Sequence, residues 1–265
     1  MSRIIVVTSG KGGVGKTTTT SHLGASLAQL GRKVALIDAD FGLRNLDLLL
    51  GLEERVVYTA VDVIAGDCRL EQALVKDKRQ KGLVLLPAAQ NRNKESVTPE
   101  QMKEIALGLA KEYDYVLIDC PAGIEMGFRN AIIAANEALI VTTPEMAAVR
   151  DADRVIGLLE AEGIHNIRLL VNRLRPEMVQ LNKMMGVEDV LELLAIPLIG
   201  IVPDDERIIV ATNKGEPLVL SGEVSPPATA YTNIARRLEG EKVPLLDLMA
   251  VNDSLLGRIR RMFGG

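Results

Sequence analysis

Residues 10–17 read GKGGVGKT, which holds the phosphate-binding spacing G-x-x-x-x-G-K-[ST] directly after the apolar run at residues 4–7. Gly10, Gly12, Gly13 and Gly15 permit left-handed backbone angles and a close approach of the main chain to an anion. The amides from Gly10 through Val14 to Thr18, with a helix starting near Lys16, make a cradle for phosphate. Lys16 is placed to bridge the β- and γ-phosphates of a nucleotide, and the Thr17 hydroxyl to ligate Mg2+. A second lysine, Lys11, sits inside the loop, where one nucleotide needs only one.

Two more apolar runs end in acid. Val34–Asp38 continues into Ala39 and Asp40, and Tyr115–Asp119 continues into Cys120, Pro121, Ala122 and Gly123. Mg2+ needs only one or two carboxylates besides threonine, phosphate and water. Asp119 closes its run as a metal-supporting acid does. Asp38 and Asp40 are then left to position the metal and orient the attacking water; the alternative is that one of them caps a helix. Val171-Asn-Arg-Leu-Arg175 carries arginine where a guanine-reading Asn-Lys-x-Asp stretch would end in aspartate. Asn172 still offers its amide to a base edge, so ATP is favoured over GTP.

These side chains need rigid elements behind them. Strand-like runs fall at 3–8, 33–38, 83–88, 115–119, 138–142, 168–172 and 198–202, mostly as continuous apolar stretches. Helical stretches fall between them, at 16–30, 99–112, 126–136, 147–162, 187–194 and 227–238. This alternation predicts an α/β fold: a doubly wound, mainly parallel sheet with helices on both faces and ligands beyond the strands' C-terminal ends. The domain is expected at 1–240, a linker at 241–251 and a terminal helix at 252–265. Of the 265 residues, 48% are hydrophobic and 25% charged, a globular profile, and a net charge of −4 gives no global field for nucleic acid. No apolar stretch approaches the roughly 18–20 residues of a membrane span, and no secretory leader is expected. Two cysteines, Cys68 and Cys120, have no metal-type spacing and suit a reducing compartment.

The loop KGGVGKT is similar to the deviant Walker A motif of the ParA/MinD ATPase family, which implies a P-loop NTPase of the SIMIBI type. In that family the extra lysine crosses a dimer interface to the partner's ATP, so the resemblance implies that Lys11 acts in trans and couples nucleotide state to dimerisation. Residues 38–47 (DADFGLRNLD) and 119–124 (DCPAGI) resemble the two switch regions of the septum-site-determining branch. The likeness runs on through Val171-Asn-Arg173 and Gly200–Asp204 to the tail. It implies Lys16 and Thr17 on phosphate and Mg2+, Asp40 on the attacking water, and Asp38 and Asp119 in the metal shell. It also implies Asn172, Arg173, Pro203 and Asp204 around the nucleotide, and Gly123 as a backbone donor sensing the γ-phosphate. Asn45 lies in the first switch. Cys120 stands where serine is common, with no functional change expected.

The tail is a separate signal. On a helical wheel Leu255, Leu256, Ile259, Met262 and Phe263 gather on one side, with Arg258, Arg260 and Arg261 flanking or opposing them. Such a basic amphipathic helix lies in a membrane interface. Its five apolar side chains contribute at most about 7–15 kcal/mol and its arginines about 1 kcal/mol each on an anionic leaflet. Ordering ten residues costs on the order of 10–20 kcal/mol. One tail is therefore marginal, whereas two tails on a dimer gain about 10²–10⁴ in avidity.

The expectation is a membrane-cycling ATPase that places the division site. ATP would close a homodimer, both tails would dock on anionic lipid, and a partner would trigger hydrolysis and release. The resemblance implies two partners, a MinC-like division inhibitor and a MinE-like activator, and no nucleic acid. Location would be cytoplasmic, peripheral on the inner face of the cell membrane, or the stroma in a plastid-bearing lineage. The alternative is a ParA-like DNA-partitioning ATPase, which shares the nucleotide site and not the apolar tail; a third is a carrier ATPase with a protein-binding tail. Residues 76–81 are expected to form a solvated loop, Arg236 and Arg237 to face solvent, and His22 to be structural.

Overall fold

The structure is a computed structural model, and it describes residues 2–89 and 97–248. Eight strands form one sheet: β1 (Arg3–Thr8), β2 (Val34–Asp38), β3 (Val75–Lys76), β4 (Leu83–Leu86), β5 (Tyr115–Asp119), β6 (Glu137–Thr142), β7 (Ile167–Leu174) and β8 (Leu198–Pro203). Their order across the sheet is β3-β4-β2-β5-β1-β6-β7-β8, parallel throughout except for β3, which runs antiparallel to β4. The helices are α1 (Lys16–Gln29), α2 (Leu46–Leu50), α3 (Ala60–Ala65), α4 (Leu70–Ala73), α5 (Pro99–Leu109) and α6 (Met126–Ile132), then α7 (Met146–Ala161), α8 (Pro176–Gln180), α9 (Val187–Leu194), α10 (Glu206–Asn213) and α11 (Pro226–Leu238). The expected mainly parallel sheet is present, with helices on both faces.

Burial on both faces explains the continuous apolar runs. Along β2, Val34 and Leu36 enter a core with Leu23 and Leu27 of α1 and Ile234 of α11. Ala35 and Ile37 enter the opposite core, with Met102 and Ala106 of α5 and Val155 of α7. Each β2 residue is buried whichever way it points, so alternation disappears. β3 escaped the sequence reading because two residues carry no period, and α2, α3, α4 and α8 because four to six residues make less than two helical turns. α10, as long as α9, escaped because it buries only Ala211 where α9 buries Val190 and Leu194 one turn apart.

Away from the nucleotide rim, polar contacts tie the strand starts to the end of α11. Arg3 forks onto Glu137, with Nε and Nη2 each 2.6 Å from a carboxylate oxygen, and donates to the Tyr115 hydroxyl at 3.0 Å. Tyr115 in turn donates to Glu239, which also pairs with Arg32. Two expectations need correction here. Residues 76–81 are not merely a solvated loop, because Asp77 is buried and holds Arg79. Arg237 does not simply face solvent: it donates to Ile199 O, Val243 O and Pro244 O, so residues following α11 are held at β8. No helix among the described residues is long and apolar enough to cross a membrane. The expected helix at 252–265 lies outside the described residues.

Candidate nucleotide site

The glycine loop leaves central β1 at Thr8 and enters α1 at Lys16. Gly15 caps the helix in the left-handed region, at φ 101°, and a Cβ there would sit 2.3 Å from Asn172 Nδ2. Only glycine fits on both counts. The same Asn172 Nδ2 donates to Val14 O at 2.8 Å, so one amide proton already braces the loop. At the loop's start, a Cβ on Gly10 would lie 2.2 Å from the backbone of Asp151 in α7.

The two lysines occupy different surroundings. Lys16 is 7% exposed, and among the described residues its Nζ hydrogen-bonds to Ser9 Oγ, 3.0 Å away. Ser9 passes its own proton to Lys11 O at 2.7 Å. A buried ammonium held by a hydroxyl and within the field of Asp119 is placed to receive a phosphate oxygen. The Lys11 side chain is 45% exposed and reaches Glu145 at 3.3 Å, on the outer rim after β6. Glu145 carried no motif and was not anticipated; Ser9 could have been noticed from its place just before the loop.

The acids meet by strand register. Asp38 and Asp119 are paired positions on the parallel neighbours β2 and β5, both buried on the loop's rim. Burial pushes Asp119 up to about 6, against hydrogen bonds from Thr17 and Thr20, the latter at 3.0 Å. Asp38 is pushed up to about 7 by burial and by the neighbouring Asp119, despite three backbone donors. Those donors are Asp40 N at 3.0 Å and Asn45 N and Leu46 N at 3.2 Å each. The Asp38 carboxylate thus folds the 40–45 loop and caps the start of α2, the helix-capping role that the sequence left as one alternative. Arg44 and buried Asp47 pair at 2.6 Å within the same stretch.

A cleft of about 380 Å³ opens beside the loop and is lined by Gly15, Thr18, Asn172, Arg173, Pro203 and Asp204. All six were read as nucleotide contacts from sequence. Tyr231, Ile208 and Ile209 also line it and were not anticipated. Arg173 takes a left-handed φ of 56°, a strained state for a side-chain-bearing residue. Arg175 closes the mouth through Asp204, Nε to Oδ2 at 2.5 Å.

A family model described as the CobQ/CobB/MinD/ParA nucleotide binding domain matches residues 5–218. The septum site-determining protein MinD of Synechocystis sp. is 68% identical over 266 aligned positions, which cover both chains completely. The chain belongs to the MinD family. A solved MinC:MinD cell division protein complex of Aquifex aeolicus contains a chain 48% identical to it, with TM-score 0.86, covering 92% of this chain and 99% of that one. The septum site-determining protein MinD of Pyrococcus horikoshii, complexed with Mg-ADP, is 32% identical with TM-score 0.83, over 92% of this chain and all of that one.

Members of the MinD family are nucleotide-binding ATPases, and this site has the donors for Mg2+: Thr17, Asp119 and Asp38 supply hard oxygens. No group of three or more His, Cys, Asp or Glu side chains gathers as a metal site among the described residues. Gly123 has φ 91° on the rim after β5, in the stretch that follows Asp119. Beside it Cys120 is buried and its thiol is pushed up to about 12, so it stays protonated and inert. His22 is buried between α1 and the 218–220 turn: Nδ1 donates to Thr18 O at 2.8 Å and Nε2 accepts from Leu218 N at 3.0 Å. Burial lowers its pKa to about 4, so the ring is neutral and its role is structural, as expected.

Proposed function

We propose that this chain hydrolyses ATP with Mg2+ and uses the nucleotide to switch between a monomer and a membrane-attached homodimer that places the division site. The carrying observation is the split between the loop lysines. Lys16 lies in its own chain's cradle, whereas Lys11 stands on the exposed rim beside Glu145. A rim cation stabilises transferring charge only when a second copy brings a phosphate to it. Within each chain, Lys16, the loop amides and the Gly123 amide hold the triphosphate. Thr17 and Asp119 hold the metal, with Asp38 supporting them through the loop it folds. Mg2+ when bound would neutralise charge on the phosphate oxygens. Asp40, set by its own N–H on Asp38, orients the attacking water. Asn172, Arg173, Pro203 and Asp204 hold the adenine end.

The family name and the MinC:MinD complex of the Aquifex relative support recruitment of a MinC-like inhibitor. A MinE-like activator would accelerate hydrolysis and release. The apolar and basic positions of the tail (Leu255, Leu256, Ile259, Met262 and Phe263, with Arg258, Arg260 and Arg261) would seat each copy on anionic lipid. The deciding experiment sediments full-length protein with anionic vesicles and, separately, duplex DNA, with ATP or ADP. Retention on vesicles with ATP alone, lost on truncation after residue 251, is expected. ATP-dependent binding to DNA and not to vesicles would favour the DNA-partitioning alternative. A Lys11→Ala protein that still dimerised with ATP would overturn the trans role.

A further inference from the structure

The turn between β3 and β4 reaches two elements that flank opposite ends of the nucleotide cleft. Arg79 Nη2 donates to Leu50 O, the last residue of α2, at 2.6 Å. Its Nη1 donates to Gly215 O, in the turn after α10, at 3.0 Å. Asp77, only 3% exposed, aims the guanidinium: it accepts from Nη2 at 2.7 Å and from the Arg79 amide at 2.7 Å. Beneath this clamp two glycines touch backbone to backbone. Gly51 and Gly215 have φ 60° and 62°; a Cβ on the first would lie 2.6 Å from Gly215 O, and one on the second 2.7 Å from Gly51 Cα. The ends of α2 and α10 meet with no side-chain cushion between them.

Their other ends face the two halves of the site. The start of α2 hangs from Asp38 through the Asn45 and Leu46 amides, on the rim where the proposed function puts the metal and γ-phosphate. The start of α10 lines the base cleft through Glu206, Ile208 and Ile209. A shift of α10 on a bound base is therefore carried by a stiff contact to α2, and from α2 to the loop holding Asp40. We propose that Arg79 is a positioning residue that couples occupancy of the base cleft to the catalytic loop, so that a well-seated base raises turnover and not only affinity. This rests on the reading of the chain as an ATPase. Arg79 touches no nucleotide position; it acts by keeping α2 and α10 in one rigid unit, and binding energy at the base reaches the transition state only through that unit.

The test compares basal hydrolysis of MgATP and MgCTP by full-length wild type, Arg79→Met and Arg79→Lys, each below its own melting temperature. In wild type, kcat for ATP is expected to exceed that for CTP by about tenfold; in Arg79→Met the two converge within about twofold while KM for ATP shifts less than about threefold. Arg79→Lys keeps one donor and retains an intermediate ratio. Gly215→Ala, which pushes the backbones apart with Arg79 intact, lowers the ratio too. Arg79→Met with the wild-type ratio, even at reduced absolute rates, would mark plain structural support and overturn the coupling. Equal kcat for both nucleotides in wild type overturns it as well. Wild type that hydrolyses neither nucleotide would instead remove the ATPase reading, and the coupling with it.

Discussion

At the scale of single residues, the loop's chemistry is set by what each charge faces. Lys16 has a serine and a buried cradle, while Lys11 has Glu145 on an open rim. An exposed pair of this kind is worth about 0–1 kcal/mol, enough to restrain Lys11 slightly and not to trap it. Glu145→Gln should therefore lower the protein concentration at which ATP-dependent dimers form by about two- to fivefold, read by sedimentation velocity; an unchanged midpoint would show that the pair holds nothing back. The carboxylates give a pH prediction. Asp38 and Asp119 are raised in the fold to about 7 and about 6, so the unliganded native state binds more protons than the unfolded chain. Their contribution is fully present below about 4 and is lost as pH rises towards about 7. Buried His22, lowered to about 4, works in the opposite sense below about 6.5. Melting curves of unliganded Asp119→Asn should thus depend less steeply on pH between 5 and 7 than those of wild type, an interval of about two units. Mg-nucleotide affinity should rise with pH across the same interval, because the metal needs ionised oxygens.

At the scale of elements, legibility followed length and burial. β1 and β5 were read to the residue because their apolar runs stop at a loop, and α9 because Gly186 precedes it and Pro197 follows it closely. The glycine loop was legible from its spacing, and six of the residues that line the cleft were legible too, Arg173, Pro203 and Asp204 among them only through the family resemblance. Glu145, Ile209 and Tyr231 were not, because what recruits them is tertiary proximity with no local pattern. Arg79 is the clearest case: in sequence it stands in a charge run resembling a solvated turn, and only the fold sets its guanidinium between α2 and α10. Core positions give a simpler prediction. Leu36, fully buried against α1, should cost about 2–5 kcal/mol on truncation to alanine, measured by urea unfolding, with nucleotide affinity of the folded protein unchanged.

At the scale of the whole molecule, family and fold were both readable, and the anchoring of the segment that follows α11 was not. Composition marks a change near Glu239, yet Arg237 gathers Val243 and Pro244 back onto β8, and Leu248 is buried in the same core as Val190 and Leu194. Hydrogen bonds from one arginine to three carbonyls have no signature in a sequence read pairwise. Arg237→Ala should free this segment: amide exchange at residues 243–248 would accelerate by about tenfold or more while nucleotide binding holds. Unchanged exchange would assign the anchoring to Leu246 and Leu248 alone.

The pairing of Asp38 with Asp119 across β2 and β5 also works as a ruler. Side chains on a strand swap faces at every step, so one residue inserted between Val34 and Asp38 would turn the Asp38 carboxylate away from Asp119 and send its aliphatic neighbours into the wrong core. Added length therefore belongs in the connections of this chain, and a grafted segment will be accepted at the 66–69 turn long before a single alanine is accepted inside β2.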